Sequence, residues 1–203
     1  MGRTSDAPQN LMEAARTLMH DRGYSAIGVA EICDRADVRK GSFYYFFESK
    51  QALTVATLRA TWALERARWV EILGRGTGLE GLEALIQEQV QGQYDRQRST
   101  GSVVGCLYGN LAVETTTSEQ DLRDCLREIF DDQSQLIFEN LRRATLDGPL
   151  DDDKATIVNA RALIAQLEGN VLLAKLYNDP ALLGPLWSHI EGFLGITVLT
   201  SDV

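Results

Sequence analysis

Residues 29–50, VAEICDRADVRKGSFYYFFESK, decide how the rest of the chain is read. Val29, Ile32, Cys33 and Ala36 recur at helical spacing and give a first short helix one apolar face. Asp37-Val38 breaks that helix, Asp being one of the few residues besides Gly that tolerates a left-handed turn position. A second helix is expected from Arg39 to Phe46, with Phe43 and Phe46 three apart on its inner side. Its outer side carries Arg39, Lys40, Ser42, Tyr44 and Tyr45, while Gly41 presents no side chain and permits close approach of a partner. A short helix with one face in a core and the other cationic, hydroxylated and aromatic suits insertion into a DNA groove. An ordinary helical hairpin with solvated charges accounts poorly for the paired tyrosines beside a glycine.

Outward from this motif the chain reads as helix after helix, about nine in all, so the expected class is all-α. A first helix runs from Asp6 or Ala7 to Asp21, with Leu11, Ala14, Ala15, Leu18 and Met19 inward and Arg3 in a short basic tail before it. Gly23 ends it and Tyr24 packs under the motif. Ser49 caps a long helix to Leu73, whose first residue, Lys50, is placed to reach a phosphate. Gly74–Gly78 is the clearest break after the motif. Helices over 79–97 and 120–146 follow, separated by GSVVGCLYGNLAVETT, residues 101–116. The acidic DGPLDDDK, Asp147–Lys154, is a solvated loop. Two last helices are expected over 153–177 and 181–199, and the first is apolar on more than one face: Ile157, Val158, Leu163, Ile164, Leu167, Val171, Leu172 and Leu173. Such a helix must be covered on more than one side, and a second subunit is the natural cover.

The run Gly23–Lys50, and KGSFYYFFESK above all, resembles the DNA-binding domain of the TetR family of bacterial transcriptional regulators. That resemblance implies an N-terminal three-helix helix-turn-helix domain over residues 1–50. It implies a helical sensor and dimerisation domain over 51–203, a homodimer closed by a four-helix interface, and repressor behaviour on a palindromic double-stranded DNA operator. The chain departs from the family pattern at Ile27-Gly28, where Thr followed by Ser or Thr is usual, and at Asp37, where Gly is commoner. GCLYGNLAVE and EGNVLLAKLY are also similar to segments of the branch typified by the N-ethylmaleimide reductase repressor, which responds to electrophiles and oxidants.

The body offers a candidate for that response. Cys106 follows Gly105 where a new helix is expected to begin, and a helix N-terminus stabilises a thiolate. The bland alternative is a small buried hydrophobe. Cys33 and Cys125 fall on apolar stripes and read as packed and inert. Lys175, in the otherwise apolar GNVLLAKLY, either snorkels to water or faces an internal cavity, with Glu168 on the same helix face. The resemblance implies Cys106 as the sensor thiol, and Lys175 is assigned the role of stabilising or capturing its oxidised form. The alternative is a reversibly bound small apolar or aromatic effector in a pocket of Trp62, Tyr94, Tyr108, Asn110 and Glu114.

Composition excludes other classes. There is no GxSxG or Walker sequence and no histidine near a credible nucleophile, so the chain is read as no enzyme. His20, His189 and three scattered cysteines form no metal-ligand spacing and no disulfide framework, and no cofactor is expected. No apolar run approaches the ~18 residues of a membrane span, and MGRTSDAPQN lacks a signal-peptide core, which points to the cytoplasm. The net charge of −9 lies outside the motif: residues 1–50 hold seven cations and seven acids, leaving 13 and 22 for the remainder. DNA affinity depends on the few cations that reach phosphates, and an acidic body repels DNA everywhere else.

Overall fold

The computed structural model describes residues 6–148 and 150–196, so Arg3 and the expected run of the final helix to Leu199 lie outside the described residues. Among the described residues there are nine α-helices and no strand. These are α1 (Ala7–Arg22), α2 (Val29–Ala36), α3 (Lys40–Phe46), α4 (Lys50–Leu73), α5 (Gly78–Thr100), α6 (Leu107–Glu114), α7 (Gln120–Leu146), α8 (Ile157–Tyr177) and α9 (Leu186–Leu194). They gather into two compact units. One holds the chain up to Glu65 together with Cys106–Ile129, and the other holds Arg66–Gly105 and the chain from Phe130 onward. Helices α4 and α7 therefore each begin in one unit and end in the other.

In the first unit α1 packs on α2, α3 and α6, and α2 packs on α3. Leu11, Ala15, Leu18 and Met19 of α1 are buried with Ile32 and Cys33 of α2, Phe43 of α3, and Leu53 and Leu58 of α4. Phe43 is wholly buried, which stabilises the motif by roughly 2–3 kcal/mol. The α2–α3 turn is closed by Asp37 at φ 53, the left-handed position expected for it, and the Val38 N–H returns to the Cys33 carbonyl at 3.0 Å. Ser49 caps α4, its Oγ accepting the Ala52 N–H at 3.0 Å.

In the second unit α5 starts at a capping box formed by Thr77 and Glu80. Its first turn lies close against α7: the Asn140 Nδ2 donates to the Gly78 carbonyl at 2.7 Å, and the Gly78 N–H donates to Asp147 at 2.6 Å. A Cβ on Gly78 would stand 2.3 Å from the Ala144 nitrogen, so the glycine is what permits this approach. The last helices differ from expectation at their starts. Asp152–Lys154 forms a 3-10 turn, and α8 begins only at Ile157, where the Thr156 hydroxyl accepts the Asn159 N–H at 3.1 Å. The segment expected to enter the final helix at Ala181 is a 3-10 turn, Pro180–Leu183, and α9 starts at Leu186. Pro185 has no N–H to return to the preceding turn, so the α-helical ladder cannot run through it.

Helix α8 buries Ala160, Leu163, Ile164, Leu167, Val171 and Ala174 and leaves Val158, Leu172, Leu173, Leu176 and Tyr177 exposed, so it is apolar on two sides. Gly78→Ala is expected to destabilise the protein by about 1–3 kcal/mol, the usual cost of overpacking, seen as a lowered thermal unfolding midpoint. Asp37→Gly is expected to raise the midpoint by relieving the left-handed strain, a gain of up to about 1 kcal/mol.

Candidate nucleic-acid interface and sensor site

Helix α3 presents the face read from its sequence. Arg39, Lys40, Gly41, Ser42, Tyr44 and Tyr45 are all exposed, Tyr45 at 83% and Tyr44 at 54%. The exposed rings are nevertheless oriented: Tyr44 meets buried Phe43 edge-on at 5.1 Å, and Tyr45 meets Phe46 edge-on at 4.9 Å. A Cβ on Gly41 would meet nothing within 4 Å, so the space over that residue is open. A hollow of about 330 Å³ flanks the helix, lined by Ala7, Asp37, Val38, Arg39, Ser42, Tyr45 and Phe46. Cations, a hydroxyl and half-fixed aromatic rings around a shallow recess can pair with phosphates and offer donors and apolar contacts to base edges.

Lys50, expected at a phosphate, is turned inward. Its Nζ donates to the carbonyls of Tyr24 at 2.9 Å and Ile27 at 3.0 Å and lies 4.0 Å from the centroid of the Tyr24 ring. Burial lowers the Lys50 pKa, an effect opposed by the charges of Glu119 and Glu114. Two of its three donors are thus spent on the α1–α2 turn. Glu114, expected to line a ligand pocket, also reaches this turn, its Oε2 accepting the Ser25 N–H at 2.9 Å. Tyr24 is buried and hydrogen-bonds Glu119, and together burial and that carboxylate push its hydroxyl pKa up to about 12. Glu119 lies below the usual carboxylate range, held there first by the Thr116 backbone N–H.

Cys106 caps α6. It is half-buried, and its Sγ accepts the Gly109 N–H at 3.5 Å. The residue before it, Gly105, sits at φ 83 and exchanges hydrogen bonds with the Gln93 amide at 3.3 and 3.4 Å. The loop leading there is held by Asn178, which ends α8 at φ 52: its Oδ1 accepts the Val103 N–H at 2.8 Å and its Nδ2 donates to the Gly101 carbonyl at 3.1 Å. Cys33 and Cys125 are buried, and burial is the main cause that pushes both thiols up.

Of the expected pocket residues, Trp62 and Tyr108 come together edge-to-face at 6.1 Å. The buried Tyr108 hydroxyl donates to Glu65 Oε2 at 2.7 Å, and burial with that carboxylate raises its pKa far above the ordinary phenol value. Asn110 is half-buried on α6. Tyr94 is half-buried on α5, in the second unit. Lys175 is exposed on α8 rather than enclosed within the chain. Glu65, Gln93, Glu119 and Asn178 were not singled out from sequence. Only Asn178 left a signal there, as the first residue of an Asn-Asp-Pro helix stop. Among the described residues no group of three or more His, Cys, Asp or Glu is placed to hold a metal ion, and no helix is long and apolar enough to cross a membrane.

Comparison with known proteins agrees with this geometry. The family model for bacterial regulatory proteins, tetR family, matches residues 11–57, and that for the tetracyclin repressor-like C-terminal domain matches residues 78–190. The chain is 30% identical over 172 residues to an uncharacterised HTH-type transcriptional regulator in the lacX 3′ region of Lactococcus lactis subsp. lactis, which covers 84% of each chain. It is 31% identical over 121 residues, 60% of each chain, to the HTH-type transcriptional repressor NemR of Escherichia coli K12. The crystal structure of the reduced form of E. coli NemR matches with a TM-score of 0.85 at 26% identity, over 96% of this chain and 100% of that one.

Lys40→Ala and Arg39→Ala are expected to weaken duplex binding and to flatten the plot of log affinity against log salt, by about 0.9 for each phosphate no longer neutralised. Lys50→Met is expected to weaken binding with the slope unchanged. Fluorescence anisotropy across a salt series separates the two behaviours.

Proposed function

The chain belongs to the TetR family of bacterial regulatory proteins, and from that premise we propose that it is a repressor released from a palindromic operator when Cys106 is oxidised or alkylated. The observation that carries this reading is the place of Cys106 at the N-cap of α6, where its sulfur accepts the Gly109 N–H. The positive end of a helix favours the thiolate, the nucleophilic form. Toward a quinone, the sulfur forms a bond to a ring carbon, the displaced π electrons pass to the carbonyl oxygen, and a proton follows. Toward hypochlorous acid, the thiol becomes a sulfenic acid and hydrogen chloride leaves. Either product enlarges a half-buried group and leaves its sulfur a weaker acceptor for the Gly109 N–H than the thiolate. The similarity to a repressor with a reduced form supports a redox role for this thiol.

In this reading the exposed apolar face of α8, with Phe193 of α9, is covered by the same face of a second copy. A homodimer of that kind presents two α3 helices to successive major-groove faces about 34–36 Å apart, which is why the operator is palindromic. A second reading is favoured by the edge-to-face Trp62–Tyr108 pair and the Tyr108–Glu65 bond. These place an aromatic wall and a fixed polar group together, as a receptor for a reversibly bound aromatic effector requires.

Wild type and Cys106→Ser, bound to an operator selected from the DNA flanking the gene, separate the readings by anisotropy. Release of wild type alone by hypochlorite or a quinone is expected, with reductant reversing the oxidation but not the quinone adduct. Equal release of both proteins would overturn the thiol reading in favour of the reversible effector.

A further inference from the structure

Of the six residues between α1 and α2, Gly23–Gly28, the stretch Tyr24–Ile27 is gripped from outside the two helices on both kinds of backbone group. The Lys50 ammonium at the start of α4 takes the carbonyls of Tyr24 and Ile27. The Glu114 carboxylate at the end of α6 takes the Ser25 N–H. Glu114 also lies close over Gly23, which stands at φ 86: a Cβ there would lie 2.4 Å from Glu114 Oε1 and would make the carboxylate shift. The turn so held runs directly into Gly28, the N-cap of α2, which makes no side-chain cap bond of its own. The segment that leads into α2 is therefore held by side chains of α4 and α6, beside the Arg22–Glu31 pair that joins the end of α1 to the first turn of α2.

We propose that Glu114 is the positioning residue through which α6 holds the DNA-reading helices in their binding orientation. Helix α6 has eight residues, about 12 Å of rise, with the Glu114 latch at one end and the Cys106 cap at the other. A sulfur is a weak acceptor, so the capped end is the one a modification loosens and the latched end is the one DNA binding reads. The input at Cys106 rests on the thiol reading above. The latch itself does not, because the carboxylate–Ser25 bond is present in the unmodified chain.

The test compares wild type, Glu114→Ala and Glu114→Gln in the full-length protein by operator anisotropy, with and without a quinone. Glu114→Ala removes the acceptor, whereas Glu114→Gln keeps an amide oxygen for the Ser25 N–H. Without quinone, Glu114→Ala is expected to bind operator about tenfold more weakly, the scale of one charge-assisted hydrogen bond. Its salt slope is expected to stay unchanged and its unfolding midpoint to fall only by the small cost of one exposed hydrogen bond, and Glu114→Gln is expected to recover most of the affinity. The ratio of untreated to treated affinity is expected to shrink in Glu114→Ala, since the bond that modification would break is already gone. Operator binding by Glu114→Ala at wild-type strength overturns the latch, as does a Glu114→Gln no better than Glu114→Ala. A midpoint falling in step with affinity overturns it too, by making the role purely structural. Failure of wild type to respond to the quinone, with the untreated variants behaving as stated, overturns the thiol reading alone.

Discussion

The ammonium of Lys50 lies against the carbonyls of Tyr24 and Ile27 and over the Tyr24 ring, and the geometry of the reading head follows from that arrangement. Removing an ammonium from water is costly, and the cost is offset here by two charge-assisted bonds, a ring face and the field of Glu114 and Glu119. The arrangement matters because α2 begins without a side-chain cap, with Glu31 in its first turn paired to Arg22. Gly28 has no oxygen to cap the helix, and Ile27 is buried beneath it. In many helices a Ser or Thr at that position would set the entry angle locally. Here the turn before α2 is held by Lys50 and Glu114, both far along the chain from it.

Local patterning explains why so much of the fold was legible. The spacing of Ile32, Cys33, Ala36 and Phe43 assigned both helices of the motif and their buried sides, and Asp37 took the left-handed turn its chemistry allows. The bounds of α7, the Ser49 cap and the Gly74–Gly78 break followed from caps and punctuation read over a few residues. The break at Pro185 was equally local, and only a strong apolar stripe on either side concealed it. What stayed hidden was long-range. A carboxylate at the end of an apolar helix looks like a pocket residue until the chain folds and brings Ser25 to it. A lysine opening a helix looks like a phosphate ligand until two carbonyls are found within its reach. Periodicity reports which face of a helix is buried; it carries no information about which distant polar group that face will meet.

The second unit solves a different problem, close approach of α5 and α7. Gly78 removes a side chain that would hold the two backbones apart, and Asn140 and Asp147 then satisfy both polar groups of that residue. Apolar packing brings the helices together, and the Asn140 amide and the Asp147 carboxylate satisfy the Gly78 carbonyl and N–H at the point of close approach. Asn178 does comparable work at the other end of this unit, ending α8 and holding the loop before Cys106 with one side-chain amide.

The tryptophans lend the molecule an optical property. All three, Trp62, Trp69 and Trp187, lie beyond the reading head, whose aromatic residues are phenylalanine and tyrosine. Light absorbed by indole alone therefore reports on the body and leaves α1–α3 dark. Trp62 stands edge-on to Tyr108, two residues along the chain from Cys106, so its emission samples the polarity and packing of the ring next to the α6 cap. The protein carries an intrinsic probe beside the α6 cap, spectrally separate from the exposed tyrosines of α3.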